Sequence, residues 1–467
     1  MRRLHAGLDA RKFELLLGRL PLAAALTATL AAIGALYWPA TAGPFQFDDY
    51  NVIVDNPAVH SLPAWFDSMP GIRPLLKLSY TLNWVLAPQP LPQPFGFHLF
   101  NVGCHLLNGA LVFLILRRLN AEHRRAGLIA FSGAALFALH PAQTEAVTYI
   151  CGRSVALMSL FYLAAIYTWL NARRAASLAL FLCALLVKET AWTLPFALLL
   201  IELARGASLT AAVQRLWPQW ATLAGGACLL LTIDDYRRLL AHSLAIRDMS
   251  DNLRLQIAGQ FYLLTQPLLL LRTNIDPDPA HSASALTPAL VLGALYAAGL
   301  VMIARAFHLR WIGFALLWFF LHLLPTNSLL PRNDIANDRQ LYLALIGPAL
   351  IVARSLVTLL QVRMAAPALG VLALLLATKT WQRNDDYRSE VALWQAAAQH
   401  SPDKPRVWNN LGFAYQQQGD IEAARAAYRR ALLLDPEAVR ARINLGLLES
   451  AGPLLRMPHS DGTPAGK

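Results

Sequence analysis

Long apolar runs separated by short clusters of charge are the feature that most constrains how this chain can fold. Apolar residues make up 56% of the 467 residues and charged residues only 15%, against about 25% charged in ordinary soluble domains. So many runs of this length cannot all be buried in one soluble core, so lipid is the expected solvent. The sequence therefore predicts an all-α, polytopic membrane domain.

The charge pattern predicts how that domain crosses the membrane. The net charge is +12, but the cations lie between the apolar runs and not on one basic face, which argues against a nucleic-acid partner. Cations dominate the N-terminal tail, which places the N-terminus in the cytoplasm. The first run, 20–38, is interpreted as a span and not a cleaved signal peptide. Eleven spans are predicted, with 255–271 re-entrant or interfacial, because a further crossing would move the later arginines outside. The C-terminus is then external.

The last part of the chain has the composition of a soluble helical repeat. Nine positions match the 34-residue tetratricopeptide signature. They are Trp408, Leu411, Gly412, Tyr415, Gly419, Ala424, Tyr428, Ala431 and Pro436. Residues 386–400 are predicted to form a preceding helix, and the pattern restarts briefly after the repeat. The predicted division is a membrane domain at 1–384, a repeat module at 385–450 and a disordered tail at 451–467. The module is either a docking surface for an acceptor or a structural cap.

Two adjacent carboxylates, Asp48 and Asp49, lie in the first predicted outside loop, 39–98. Partial removal from water raises the pKa of a carboxyl group and makes the ionised form a better base. Such a group suits general-base catalysis. The alternative is a solvated acidic turn.

Further polar clusters occur at the predicted outside ends of other spans. They are Arg73; His140 with Glu145 and Arg153; Lys188 with Glu189; and the loop carrying Arg332, Asn333, Asp334, Asp338 and Arg339. Cations there would hold an anionic phosphate while a carboxylate deprotonates a nucleophile. Snorkelling of single cations, a simple Lys188–Glu189 ion pair and helix capping by His140 are the structural alternatives. No metal-ligand spacing is present, and the four cysteines show no pairing motif.

Several strings occur in an order that resembles the transmembrane-and-tetratricopeptide O-mannosyltransferase family. They are FDDYNVIVDNPAVH, RPLLKLSYTLNW, FHLFNVGCHLLN, HPAQTEAVTYICGRSVALMSLFY, KETAWTLP and NDRQLYL. The resemblance covers about residues 45–446. It implies the GT-C class of integral membrane glycosyltransferases, here as a bacterial relative in the inner membrane with its repeat module in the periplasm.

The resemblance also implies a reaction and its residues. The donor would be a sugar on a polyprenyl phosphate, and the acceptor a protein Ser/Thr hydroxyl or a glycan, with inversion at the anomeric centre on the periplasmic side. The acidic pair Asp48 and Asp49 would hold the catalytic base, with Asp48 favoured. The phosphate would be bound by Arg153, Lys188 and Arg339. Further site candidates are Arg73, His140, Glu145, Glu189 and Asp338. A requirement for Mg²⁺ or Mn²⁺ is left open.

Three other functions remain as alternatives. An O-antigen ligase or polymerase would carry its catalytic groups in a large late outside loop, whereas this acidic pair is in the first. A non-catalytic membrane anchor for assembly would make Asp48 and Asp49 dispensable and the repeat module essential. A transporter would show two matching halves with broken helices at the midplane, and no such internal repeat is found.

Overall fold

The computed structural model describes residues 22–451 except for short gaps at 70, 89–92, 270–272, 280–285, 328–330 and 333. The described part consists of helices and loops and contains no strand. The N-terminal cations used to orient the chain, Asn333 and residues 452–467 of the predicted tail lie outside the described residues. Contacts divide the chain into two compact units. One unit comprises Met1–Ile275 and Pro279–Arg388, and the other comprises Ser389–Lys467 together with Asp276–Asp278.

The first unit is a bundle of helices joined by short turns. Its first nine helices are Leu22–Tyr37 (α1), Leu62–Asp67 (α2), Pro74–Leu86 (α3), Phe95–Leu119 (α4), Ala126–Ala138 (α5), Thr144–Val147 (α6), Arg153–Leu170 (α7), Arg174–Val187 (α8) and Leu194–Ala204 (α9). The later helices are Leu209–Arg215 (α10), Trp217–Leu230 (α11), Asp234–Ala245 (α12), Met249–Leu269 (α13), Leu286–Arg305 (α14), Arg310–Leu323 (α15), Leu341–Ala344 (α16), Ile346–Leu359 (α17) and Val362–Asp386 (α18).

Several of these helices are long and apolar enough to cross a membrane. Five described stretches pass on length and composition, and the number rises to seven if each of two bent helix pairs is one span. The bent pairs are Ala126–Ala138 with Pro141–Val147, and Asp338–Ala344 with Ile346–Leu359. The chain is thus a multi-pass, all-α membrane protein, as predicted. The count of eleven spans stays a prediction.

Buried polar side chains fix helix α4 against its neighbours. Asn108 donates to the phenol oxygen of Tyr342 at 3.0 Å and to the carbonyl of Ala156 in α7 at 2.9 Å. A ring nitrogen of His105 lies 2.8 Å from the same phenol oxygen. Such hydrogen bonds hold membrane helices together where lipid offers no hydrophobic driving force. These hydrogen bonds hold α4 against α7 and α16. The polar loops lie next to α7 and α16 in the chain.

The second unit consists of four helices, Glu390–His400 (α19), Pro405–Gln417 (α20), Ile421–Leu434 (α21) and Val439–Ala451 (α22). Helices α20 and α21 form the antiparallel pair predicted from the repeat signature. A Cβ atom on Gly412 would lie 2.6 Å from the ring of Tyr428, so only glycine permits their approach. Asp276 is joined to this unit by ion pairs with Lys404, at 2.5 Å, and Arg406. Helix α18 ends at Asp386, two residues beyond the predicted boundary.

Candidate functional site

Loops from distant parts of the chain meet in the first unit. The backbone N–H of Asp48 donates to the phenol oxygen of Tyr149 at 3.1 Å, and that of Arg339 donates to the carboxylate of Glu145 at 3.1 Å. The charge of Arg339 also acts on Lys188, at the end of α8. The predicted polar clusters are therefore brought together, although they lie far apart in the sequence.

Asp49 is a buried carboxylate that shapes the first loop. One of its oxygens accepts the N–H of Cys151 at 2.9 Å, and the other accepts the N–H of Gln46 at 3.0 Å. Burial raises the pKa of Asp49 to about 7, against the lowering effect of these hydrogen bonds. With 1% of its surface exposed and both oxygens engaged, Asp49 is placed to join the first loop to the turn before α7.

Asp48, one residue earlier, has a different environment. Its side chain is half-buried and interacts electrostatically with Arg339. The preceding residue, Phe47, has a φ of 49°, a conformation that non-glycine residues rarely adopt and that tends to occur at functional sites. The charge of Asp48 therefore acts on the cationic cluster, while Asp49 anchors the loop.

Arg339 is held in place by two carboxylates. Its Nε lies 3.4 Å from Glu145, and its Nη2 lies 3.5 Å from Asp334. Glu145 is itself fixed on α6, against which the following turn packs closely. A Cβ atom on Gly152 would lie 2.2 Å from the carbonyl oxygen of Glu145. This close packing sets the spacing between the turn that binds Asp49 and the carboxylate that binds Arg339.

Arg73 and Glu189 form a bidentate ion pair. The two nitrogen–oxygen distances are 2.9 and 2.5 Å, and Arg73 adopts the left-handed conformation with φ 53°. Burial would raise the pKa of Glu189, but the charge and hydrogen bonds of Arg73 outweigh it and hold that pKa at about 2. The pair fixes the turn that carries Lys188.

Lys188 is buried beside other cations. Its ammonium group lies 3.3 Å from the hydroxyl of Ser154. Burial lowers the pKa of Lys188 well below its usual range, and Arg73 and Arg339 lower it further. A bound anion would oppose both effects, because it would favour the charged ammonium.

A cavity opens among these loops. Its lining combines three cations with neutral polar and apolar side chains. The lining residues are Val155, Met158, Lys188, Thr190, Thr193, His322, Pro325, Thr326, Arg332, Asn337, Arg339, Gln340 and Leu343. Lys188, Arg332 and Arg339 suit an anionic group such as a phosphate. Lys188 and Arg339, two of the three predicted phosphate ligands, both line this cavity.

Arg153, the third predicted phosphate ligand, is not in this cavity. Its guanidinium is fully buried and donates to the side chain of Asn101 at 2.8 Å and to the carbonyls of Ser79 and Phe97 at 3.0 and 2.9 Å. A phosphate would have no exposed surface to contact and would have to displace these bonds. In this structure Arg153 joins α3 and α4 to α7, and these contacts argue against its predicted role as a phosphate ligand.

His140 and Asp338 also lie outside the cavity lining. His140 accepts the N–H of Ala142 through Nδ1 at 3.2 Å and so caps the turn that follows. Asp338 is fully buried and accepts the N–H of Asn274 at 3.0 Å. Both residues position loops.

Within the described ranges, no group of three His, Cys, Asp or Glu side chains is arranged to hold an ion. Asp49, the carboxylate nearest to Asp48 in sequence, has both oxygens on backbone N–H groups. The cations of the cavity lining are the groups positioned to neutralise a phosphate.

Four contributors were not among the predicted site residues. Arg332 lines the cavity and was visible only as one charge in a polar loop. The phenol oxygen of Tyr149 accepts a hydrogen bond from the backbone of Asp48. Nothing in the sequence around Tyr149 predicts that its side chain contacts another loop. Asn337 and Gln340 line the cavity, and their spacing of three within a polar loop is the one signal that could have marked them.

Residues 405–437 match the family model described as tetratricopeptide repeat. The chain is 26% identical to protein O-mannosyl-transferase TMTC3 of Mus musculus, over 90% of this chain and 52% of that protein. It is 26% identical to Tmtc3 of Drosophila melanogaster, over 88% of this chain and 55% of that protein. It is 28% identical to F38B6.6 of Caenorhabditis elegans, over 86% of this chain and 61% of that protein. No solved structure matches.

These comparisons confirm the resemblance and the helical repeat predicted from the sequence. The similarity extends along nearly the whole chain, although the chain spans only 52%, 55% and 61% of these three relatives. Each relative bears the name protein O-mannosyl-transferase.

Proposed function

We propose that this chain, which is related over nine-tenths of its length to the transmembrane-and-tetratricopeptide protein O-mannosyl-transferases, is a membrane glycosyltransferase. It would move a sugar from a polyprenyl phosphate to a protein hydroxyl on the outer face of the membrane and invert the anomeric centre. The observation that carries the proposal is the half-buried Asp48, whose charge acts on Arg339, a cation of a cavity lined also by Lys188 and Arg332.

Asp48 is the base in the proposed reaction. A Ser or Thr hydroxyl has a pKa far above 7, so its proton must be taken as its oxygen attacks the anomeric carbon. The new carbon–oxygen bond forms on the face opposite the phosphate, the old carbon–oxygen bond breaks, and the proton ends on the Asp48 carboxylate. Asp49 is less suited to this task because both its oxygens accept backbone N–H groups.

The cations stabilise the leaving group. The bond electrons leave with the polyprenyl phosphate, whose negative charge grows in the transition state. Lys188, Arg332 and Arg339 line the same cavity and are already in place, so they need no reorganisation as the charge develops. The carboxylates of Glu145 and Asp334 hold Arg339 without filling the cavity. The polyprenyl tail would remain in the surrounding lipid.

The helical repeat has a separate role in this proposal. Helices α20 and α21 carry exposed residues, including Phe413, and repeats of this type present surfaces for other proteins. We propose that the repeat docks the protein acceptor on the periplasmic side of a bacterial inner membrane. Neither the proposed sugar transfer nor the proposed docking of an acceptor involves a nucleic acid.

The test is sugar transfer in membranes that contain native lipid extract, with Asp48→Asn compared with wild type at matched expression. The variant keeps the size of the side chain but cannot accept the proton, so transfer should fall by about 10²–10⁴-fold while the melting temperature stays unchanged. The exposed Asp55 in the same loop provides the matched control, and Asp55→Asn should transfer normally.

Two results would contradict the proposal. If Asp48→Asn transfers at the wild-type rate, the first loop does not supply the base, and a non-catalytic anchor or another enzyme class becomes the better explanation. If wild-type membranes transfer no sugar from native lipid extract to any protein, the donor class is wrong.

A further inference from the structure

We propose that the amide side chains of Asn337 and Gln340 bind sugar hydroxyl groups, which makes the cavity selective for a glycosyl phosphate over bare phosphate. This inference rests on the proposed function, because it names the part of the donor that the cavity recognises. Its starting point is a set of polar atoms that the fold buries without partners. Both amide atoms of Gln340 and the amide oxygen of Asn337 are buried and make no hydrogen bond with any described residue.

Atoms of this kind are rare in stable proteins. A buried polar atom without a partner costs about 1–3 kcal/mol, and nearly all buried polar groups are paired. The other neutral polar groups of the lining follow that rule. His322 bonds through both ring nitrogens, to Tyr162 and to the carbonyl of Trp318. Thr193 and Thr326 donate to nearby carbonyls. The missing partners are therefore confined to Asn337 and Gln340 within this lining.

Asn337 and Gln340 both belong to the cavity lining. Asn337 occupies the position before the short turn Asp338–Gln340, where an asparagine side chain normally caps the turn, yet it makes no capping hydrogen bond. Gln340 follows three residues later and Leu343 three after that, and all three line the cavity. A spacing of three places side chains on one face of a helical segment. Arg339, between them, is instead held by Glu145 and Asp334.

The chemistry of the unpaired atoms selects the ligand. An amide oxygen can only accept a hydrogen bond, and an amide nitrogen can only donate one. The ionised phosphate diester of a lipid-linked sugar offers acceptors alone, so it can satisfy the cations but neither amide oxygen. Sugar hydroxyls both donate and accept, and they can satisfy all three atoms.

The variant Gln340→Met tests this inference in the full-length protein purified in detergent. Binding of mannose 1-phosphate, glucose 1-phosphate, N-acetylglucosamine 1-phosphate and inorganic phosphate would be measured by calorimetry. Wild type should bind at least one sugar phosphate about tenfold or more tightly than inorganic phosphate. Gln340→Met should lose about tenfold of that preference, because one or two hydrogen bonds disappear. Its affinity for inorganic phosphate should not change.

Gln266 provides a matched control. Both its amide atoms are also buried without a partner among the described residues, but it lies in α13 and not in the cavity lining. Each methionine variant replaces an unpaired amide with an apolar chain of similar size, so neither should lower the melting temperature. Only Gln340→Met should change the ratio of sugar phosphate to phosphate affinity.

Two results would overturn the inference. One is an unchanged ratio in Gln340→Met, and the other is a wild-type protein that binds none of the three sugar phosphates better than inorganic phosphate. In both cases the amides would bind water only. The result is separable from the proposed function, because Asp48→Asn should keep the binding ratio while losing transfer. If Asp48→Asn transfers normally, the catalytic proposal fails even where the ratio behaves as expected.

Discussion

Asp48 and Asp49 are chemically identical side chains, and backbone hydrogen bonds make them different acids. The N–H groups of Cys151 and Gln46 occupy both oxygens of Asp49, whereas Asp48 is half-buried and interacts electrostatically with Arg339. A base needs an accessible oxygen, and an anchor needs buried partners. The two carboxylates have different roles although they are consecutive in the chain and follow the unusual backbone conformation of Phe47.

The raised pKa of Asp49 predicts how stability depends on pH. Its pKa is about 7 in the folded protein and 3.8 for the ordinary group. Between these values the folded protein holds one more proton than the unfolded chain, so stability from this group is complete below pH 4 and is lost as the pH rises through 7. The expected loss is on the order of 4 kcal/mol.

The measurement is the free energy of unfolding in detergent between pH 4 and 8. Asp49→Asn should flatten the decline, because the neutral amide does not titrate. Asp55→Asn, at an exposed position in the same loop, should keep the wild-type slope. A slope that Asp49→Asn leaves unchanged would show that another group causes the decline.

At the scale of helices and turns, the site depends on close packing between short elements. The turn Ile150–Gly152 lies against α6 at a distance that only glycine allows at position 152. The same principle operates between α20 and α21, where Gly412 faces the ring of Tyr428. In both places a missing side chain lets one backbone segment approach another.

Alanine at two glycine positions in the repeat should have opposite effects. In Gly412→Ala the new Cβ would meet Tyr428 at 2.6 Å, and such overpacking costs about 1–3 kcal/mol. Gly446 in α22 has open space around its Cβ position, so Gly446→Ala should stabilise that helix by about 1 kcal/mol.

Hydrogen exchange of peptides from 405–451 would measure both changes in the intact protein. Gly412→Ala should exchange faster than wild type, and Gly446→Ala should exchange more slowly. Faster exchange in both variants would contradict the prediction for Gly446→Ala, because the higher helix propensity of alanine would then not stabilise α22.

At the scale of the whole molecule, the proposed activity requires the cation-lined cavity to face away from the cytoplasm. The prediction rests on eleven spans and on a cytoplasmic N-terminus, since an odd number of crossings puts the two ends of the chain on opposite sides. The described helices include five that pass as spans, or seven with the bent pairs counted. The remaining crossings would be made by shorter apolar helices such as Arg174–Val187 and Arg310–Leu323.

A reporter fused after Lys467 tests this topology. Alkaline phosphatase, which is active only outside the cytoplasm, should be active in the fusion, and green fluorescent protein should not fluoresce there. The reverse pattern would overturn both the external repeat and the count of eleven spans. A fusion within the turn after Leu119 is the internal control and should show the cytoplasmic pattern.

The sequence by itself determined the class of fold, because hydrophobic patterning and repeat signatures are local properties. Apolar runs indicated a membrane bundle, and the positions from Trp408 to Pro436 indicated the helical repeat that the structure contains. Resemblance identified the strings that carry the candidate site. The resemblance could not show that Arg153 and Lys188 have different environments. The partners of Arg153, Asn101 and Ser79, lie far from it in the sequence. Only the tertiary structure decided which charges face the cavity, because burial and hydrogen-bond partners depend on segments that meet after folding.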